Sequence, residues 1–551
     1  MMKSFLFIVL MTIINAMCFA QAPLVKQWDY RYGSPEVEEL YSMKQTADSG
    51  FVLIGYIHSI YSGGDVTDTS RGFPDMWVVK IDKFGLKQWD KRYGGTRSDG
   101  ALDGIQTNDG GYLFVGYSFS NTGGEKSQDN RDTSMQTADL WIVKVNASGI
   151  KQWDRRYGGN GSEGANKIIR TNDGNFIIVG TSTSDVTGDV TQPSRGGQDI
   201  WLVKIDGAGN KLWDKRYGGS HVEYVADITL FPNDEYLISS ASYSPLSGDK
   251  TDNNRDASLN SPDYWIIKIN SSGNKIWDKT FGGIKDDFAG SVFLVNSNNY
   301  LIAGSSRSGI SGDRTIANYD TSNSTKDFWL VRVDSSGNKI GEKVFGGTSS
   351  DEYSSIIRLQ DGNYLISGDS YSQASGDKSE NNMGNEQTWL IKTDTNLVKI
   401  WDKTIFTSNL FRDDEGGYAL QSYDGCLVIK NFNWADIGGY KTQHNWDPNL
   451  HFPDYWVVKF CDSTSTTSIN LIDTPSYFSI SPNPFFEQLY IVSEVNEIAE
   501  FILYDFTGRK ILRHSFTNST SINTAHLAKG IYFYEVLNRN YLIKKGKVVK
   551  N

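Results

Sequence analysis

A tryptophan followed by an aspartate returns every 60 to 64 residues along this chain, at Trp28, Trp89, Trp153, Trp213, Trp277 and Trp401, with Gly341 holding the same place in a degenerate copy. A second tryptophan series runs beside it: Trp77, Trp141, Trp201, Trp265, Trp329, Trp389 and Trp456. The chain therefore carries seven copies of one unit. A period of this size marks propellers, solenoids or arrays, in which a unit cannot bury its apolar face alone and must stack on its neighbours.

Each copy holds four strand-like runs, which in the second copy are GALDGIQT, GYLFVGYS, LWIVKV and KQWDRRY. We call them a, b, c and d. The first carries small residues, the middle two are the most apolar, and the last alternates and carries charge. That gradient fits a propeller blade read from axis to rim: a crowded inner strand, two central strands buried on both faces, and a charged edge that resists pairing with other chains. Asp-Gly pairs such as Asp109-Gly110, Asp173-Gly174, Asp361-Gly362 and Asp424-Gly425 join a to b and suit tight hairpins. The chain opens with a lone d run, VKQWDYRY, and the repeats close on an a-b-c set ending at YWVVKFC. These orphans predict one composite blade, with the N-terminal strand closing the ring as a 3+1 latch. In this register Cys426 starts strand b of blade seven and Cys461 ends its strand c. Antiparallel pairing brings them near the Cα spacing of about 5.5 Å that a disulfide needs; the alternative is two unpaired thiols.

Composition agrees. With 551 residues, 54 Gly, 13% aromatics and only 12 Pro, the chain is too long for one core and suited to many short strands. A formal charge of −11 argues against nucleic acid as a partner. Residues 1–20 read as a signal peptide, with Lys3, an apolar run from Phe5 to Ile14 and a small-residue end at Ala20. Cys18 suggests a lipid anchor, but Met17 before it fits that poorly. No later apolar run is long enough for a membrane span. The expected organisation is signal peptide 1–20, seven-bladed propeller 21–461, Ser/Thr-rich linker 462–474 and a small Ig-like β-sandwich over 475–551. That last segment holds nine Lys/Arg against six Asp/Glu, opposite in sign to the whole.

Ten residues before each a–b turn stands an acid: Glu38, Asp99, Glu163, Glu223, Asp287, Asp351 and Asp414. Seven carboxylates at the mouths of inner strands either attract a cation such as Ca²⁺ or accept hydrogen bonds from their own blade steps. Sevenfold repetition favours the structural role, since a working site usually breaks symmetry. The b–c loops, near fifteen residues each, share one face with the d–a connections, and loops on a rigid scaffold are where binding usually sits. Within them GDKTDNNRD (248–256) lacks the order of a calcium loop. Blade seven's loop is the outlier, adding Trp434, Tyr440, His444, Trp446 and His451. Such aromatics stack on sugars or anchor proteins, or they fill the gap where the ring closes. The two histidines have no third ligand at useful spacing for zinc. HExxH, GxSxG, phosphate-loop and dinucleotide fingerprints are missing, so no catalytic residue is singled out.

The pattern DxWxVKxDxxGxKxWDKxYGG, over roughly residues 25–460, resembles the secreted seven-bladed propeller repeats of bacterial surface proteins. The element Asp206, Gly209, Trp213 is similar to quinoprotein propeller repeats, and its spacing departs from the sialidase Asp-box; neither family's active-site set transfers. In the C-terminal segment Ser481-Pro482-Asn483-Pro484-Phe485, then Tyr504 to Arg509 with Gly508, then Leu527 to Tyr532 with Gly530, then a Lys-rich end resemble the type A sorting domain of the type IX secretion system of Bacteroidetes-type bacteria. The resemblance implies engagement of that machinery, passage across the outer membrane, and usually removal of the domain with anchoring or release of the remainder.

The expectation is an exported, monomeric, surface-displayed or released propeller with no identified cofactor, calcium being the one candidate. It would be a non-enzymatic scaffold for a glycan or protein ligand. The alternative is a polysaccharide-active hydrolase or lyase using carboxylates on the long-loop face.

Overall fold

A computed structural model describes residues 24–59, 62–231, 233–296, 299–407, 414–449, 451–462, 478–482, 484–493, 498–505, 509–538 and 541–550. The expected signal peptide and nearly all of the expected linker lie outside these residues. The chain divides into two compact units, residues 1–463 and 464–551.

The first unit is a β-propeller built of seven four-stranded antiparallel sheets. Blade two shows the plan, with strand a at Asp99–Gln106, b at Tyr112–Ser118, c at Asp139–Val145 and d at Lys151–Tyr157. Every residue of strand c is buried, whereas strand d alternates, as expected for a central and an edge position. The c–d turn is set by Asn146, whose Oδ1 accepts the N–H groups of Ser148 (3.0 Å) and Ile150 (2.9 Å). The b–c connections run from 16 residues (183–198) to 20 (119–138), longer than expected, because each folds a small turn of its own, bridged in blade two between Gly123 and Lys126.

The Trp-Asp pair does two jobs. Trp89 on strand d donates its indole N–H to Ala147 O in the next blade's c–d turn at 3.2 Å, and Trp277 does the same with Ser335 O. Asp154 instead faces its own blade. It accepts from buried Trp141 Nε1 (3.1 Å) and from Ser127 N in the b–c loop (2.9 Å), and it pairs with Lys151 (2.9 Å). In the degenerate copy Glu342 replaces the aspartate and still reaches Trp329 Nε1 at 2.8 Å.

Blade seven is composite. Its strands Asp414–Gln421, Leu427–Asn433 and Asp454–Asp462 are completed by Leu24–Tyr32, which pairs antiparallel with the last of them, Trp28 opposite Lys459 and Tyr32 opposite Tyr455. Asp29 on the N-terminal strand plays the Trp-Asp role, accepting from Trp456 Nε1 and Thr442 N. Blades seven and one then meet as any neighbours do: Leu40, Trp77, Val428 and Val457 share one core, and the Trp77 and Tyr455 rings lie 4.8 Å apart. Cys426 and Cys461 are disulfide-bonded with Cα atoms 4.3 Å apart.

The second unit has two sheets, one of three strands and one of four, over a shared core that includes Phe485, Leu489, Phe501, Val536 and Val548. Two of its strands, Lys510–Thr517 and Ser519–Asn523, were not expected from the sequence, because their exposed, polar faces weaken the apolar alternation. No helix among the described residues is long and apolar enough to cross a membrane.

Candidate functional site

Each acid of the ring opens strand a of its blade. Glu38, Asp99, Glu163, Glu223, Asp287 and Asp351 are fully buried; the side chain of Asp414 lies outside the described residues. Their partners repeat. The carboxylate accepts a backbone N–H four residues upstream, as from Gly95 (2.7 Å), Gly159 (2.8 Å), Gly283 (2.7 Å) and Gly347 (2.7 Å). It also accepts serine hydroxyls at the end of strand b: Ser242 and Ser244 reach Glu223 at 2.9 and 2.6 Å, and Ser120 reaches Asp99 at 2.8 Å. These serines are not among the site residues expected from the sequence, although the sequence carries their signal: a Ser-x-Ser recurs 19 and 21 residues after the acid, as at Ser118/Ser120, Ser182/Ser184 and Ser306/Ser308.

A second buried acid opens strand c: Asp75, Asp139, Asp199, Asp263, Asp327 and Asp454, with Gln387 in blade six. The glycine between the two acid series has no room for a side chain. A Cβ on Gly282 would overlap Asp263 Oδ1, and one on Gly158 would meet both Asp139 and Glu163. Beside these acids five blades bury one cation, drawn from either of two positions, while blades two and seven fill both, with Lys126 and Arg156 and with Lys441 and Arg31. Strand d supplies Arg92 and Arg216 where the b–c loop has Val66 and Val190; the loop supplies Lys250, Arg314 and Lys378 where strand d has Thr280, Val344 and Thr404. Lys250 Nζ fills the vacated space by donating to Thr280 Oγ1 at 2.8 Å, and Lys378 Nζ does so to Thr404 Oγ1 at 2.7 Å. Acids still outnumber cations, and burial pushes the carboxyls up: Asp99, Asp139, Asp287, Asp351 and Asp454 to about 6, Glu223 to about 7, Asp263 and Asp327 to about 8. Among the described residues no three His, Cys, Asp or Glu side chains come together as a metal site.

The blade-seven residues separate. Tyr440 packs against Phe406 (5.0 Å between centroids) and Phe460 (4.9 Å). Trp446 lies under the Arg31 guanidinium, 4.0 Å from its ring, and donates to Asp65 Oδ2 at 2.8 Å. Both therefore sit where blade seven meets its neighbours. His444 is exposed and pairs with Asp436 at 2.8 Å, while His451 stands apart near Asp447. In the 248–256 stretch Lys250 and Asn254 turn inward and Asp252 pairs with Arg255.

Trp434 has different company. It follows strand b and lies edge-on to Phe432, 5.6 Å between centroids. The corresponding pairs are Tyr56 and His58 in blade one (5.4 Å) and Tyr117 and Phe119 in blade two (6.1 Å). Blades seven, one and two thus carry consecutive aromatic pairs at the inner end of the long-loop face. Blade one adds Tyr41, on a bulge of strand a, stacked on Tyr56 at 5.3 Å, and Phe73, edge-on to His58 at 5.2 Å. Blades three and five place Thr181/Thr183 and Ser305/Arg307 in those positions, so the feature is not part of the repeat.

The family of the secretion system C-terminal sorting domain matches residues 479–551. The C-terminal unit is a secretion sorting domain. It implies contact with the type IX machinery and export to the cell surface or extracellular space. Of the sorting-motif residues, Pro482 and Pro484 are exposed ahead of buried Phe485, Gly530 opens the strand Gly530–Asn538, and Asn483 and Gly508 lie outside the described residues. The regulatory protein FlaEY of Caulobacter vibrioides is 26% identical over 166 residues, 29% of this chain; the chain spans 17% of the length of that curated relative. Similar solved structures include the WD40 domain of Neurospora crassa Pan2 (8% identity, TM-score 0.39, 79% of this chain and 95% of that one). A Dyadobacter fermentans protein of unknown function (10%, TM-score 0.38, 80% and 99%) and a NanB sialidase variant of Streptococcus pneumoniae (9%, TM-score 0.38, 79% and 70%) are similar too.

Proposed function

We propose that the protein is an exported, non-enzymatic scaffold that binds a glycan or protein on the long-loop face of its propeller. One observation carries this: the aromatic arc of blades seven, one and two, a half-buried departure from the repeat to which blade one adds the exposed rings of Tyr41 and Phe73. Aromatic rings offer large, rigid contact area at little entropic cost. The buried acids speak for architecture, since every described acid of the ring accepts a backbone N–H of its own blade step through one of its carboxylate oxygens. The test is an array of glycans and surface proteins, run beside long incubation of the purified protein with polysaccharides. Saturable binding without released oligosaccharide supports the scaffold. Released oligosaccharide, abolished by Asp→Asn changes on this face, would instead make it a hydrolase or lyase.

A further inference from the structure

The second residue of strand a in blade one is Glu39, whose carboxylate lies inside the aromatic arc. Its Oε2 accepts the hydroxyls of Tyr41 and Tyr56, each at 2.7 Å. Its Oε1 stands 3.9 Å from His58 Nε2, too far for a hydrogen bond, and that nitrogen is buried without a hydrogen-bond partner. Burial lowers the His58 pKa, so the imidazole is neutral near pH 7 and brings no charge to the carboxylate. Tyr41 and Phe73 leave 42% and 54% of their surfaces exposed beside it.

The repeat shows what this position takes. In blade six the matching residue is Glu352. Lys326, the residue before strand c of blade five, places its Nζ 3.0 Å from Glu352 Oε2 and 5.3 Å over the Phe288 ring. The backbone fixes the correspondence: Lys326 O accepts the Asp351 N–H, and Pro453 O accepts the Glu38 N–H. Pro453 therefore stands beside Glu39 where Lys326 stands beside Glu352, and proline has no ammonium to offer. Among the described residues no Lys or Arg forms an ion pair with Glu39. Blade one keeps the carboxylate, enlarges the aromatic wall and lacks the internal cation.

We propose that Glu39, Tyr41, Tyr56 and Phe73 form a site for the ammonium group of a ligand, whether a lysine side chain or an amino sugar. The carboxylate supplies the opposite charge, and the ring faces add the attraction of their quadrupoles for a cation. This assignment rests on the long-loop face being the binding face. The experiment is isothermal titration of the full mature chain with Nα-acetyl-lysine methylamide and its neutral norleucine analogue, and with glucosamine and neutral N-acetylglucosamine. The ammonium member of at least one pair binds about tenfold or more tighter than its neutral counterpart. The tighter pair names the source. Glu39→Gln erases that preference, and Phe73→Ala, a change at an exposed ring, weakens binding a few-fold with the melting temperature unchanged. Equal binding of charged and neutral probes, or a preference that survives Glu39→Gln, overturns the site. Array binding without ammonium preference defeats this assignment and leaves the binding face standing; failure of both array and probes defeats both.

Discussion

Glu38 and Glu39 are neighbours on one strand and belong to different worlds. An acid stands at the Glu38 position in every blade, and Glu38 itself is fully buried and held by both N–H and hydroxyl of Ser34 within its own turn. Glu39 recurs as a glutamate only in blades six and seven, and is partly exposed among aromatic rings that most blades lack. The alternation of a strand sends the two side chains to opposite sides. What repeats holds the ring together, and what departs from the repeat is free to serve a ligand.

The sharpest way to break this comparison is a pair of tryptophans. Trp265 belongs to the repeat, is fully buried and donates to Asp278 Oδ2 at 3.0 Å. Trp265→Ala is expected to cost about 3–5 kcal/mol in denaturant unfolding. Trp434, outside the repeat and half-buried, should cost about 1 kcal/mol or less while weakening whatever binds the loop face. Equal losses would erase the distinction.

Next comes the glycine wedged between the acids. Gly282→Ala drives a methyl into Asp263 Oδ1 and should cost about 1–3 kcal/mol, read by the same unfolding curves. Gly341→Ala, where a Cβ meets nothing within 4 Å, is the control and should be neutral within about 0.5 kcal/mol.

The smallest effect is on pH. Asp99 and Glu223 of the ring, and Asp263 and Asp327 that open strand c, have folded pKa values of about 6 to 8, above their unfolded values near 4. The folded state thus holds protons that the unfolded chain has released, so their contribution is complete below about pH 4 and is lost as pH climbs through 6 to 8. Lys126, Lys250 and Lys378, pushed down to about 8 by burial, stay charged in both states below that point and do not offset the trend. The melting temperature should fall by several degrees between pH 5 and pH 8. A flat or rising profile would mean that the ring carries no surplus of buried acid.

Periodicity made the ring legible. The seven copies, the composite blade and the register that joins Cys426 to Cys461 all follow from counting tryptophans and acids. The buried cations were harder, because the charge moves between loop and strand d: Arg216 and Lys250 serve one purpose from positions that never align in sequence. The arc at blade one was not legible at all. Tyr41, Tyr56, His58 and Phe73 are scattered over 33 residues and become neighbours only through the bulge at Tyr41 and the pairing of strands a and b. In sequence the loop of blade seven is the conspicuous one, and of its aromatics Tyr440 and Trp446 pack where blades meet, while Trp434 joins the arc.

The most direct measurement sets Glu223→Gln beside Glu39→Gln, each followed by thermal melting and by titration with the lysine probe. Glu223→Gln leaves an amide facing the Gly219 N–H, so the account predicts a lowered melting temperature, by about 1–3 kcal/mol of stability, with probe affinity intact. Glu39→Gln should do the reverse, losing the probe while melting as the parent does. If the two variants change both properties together, or exchange roles, the division between repeated architecture and unrepeated function is wrong.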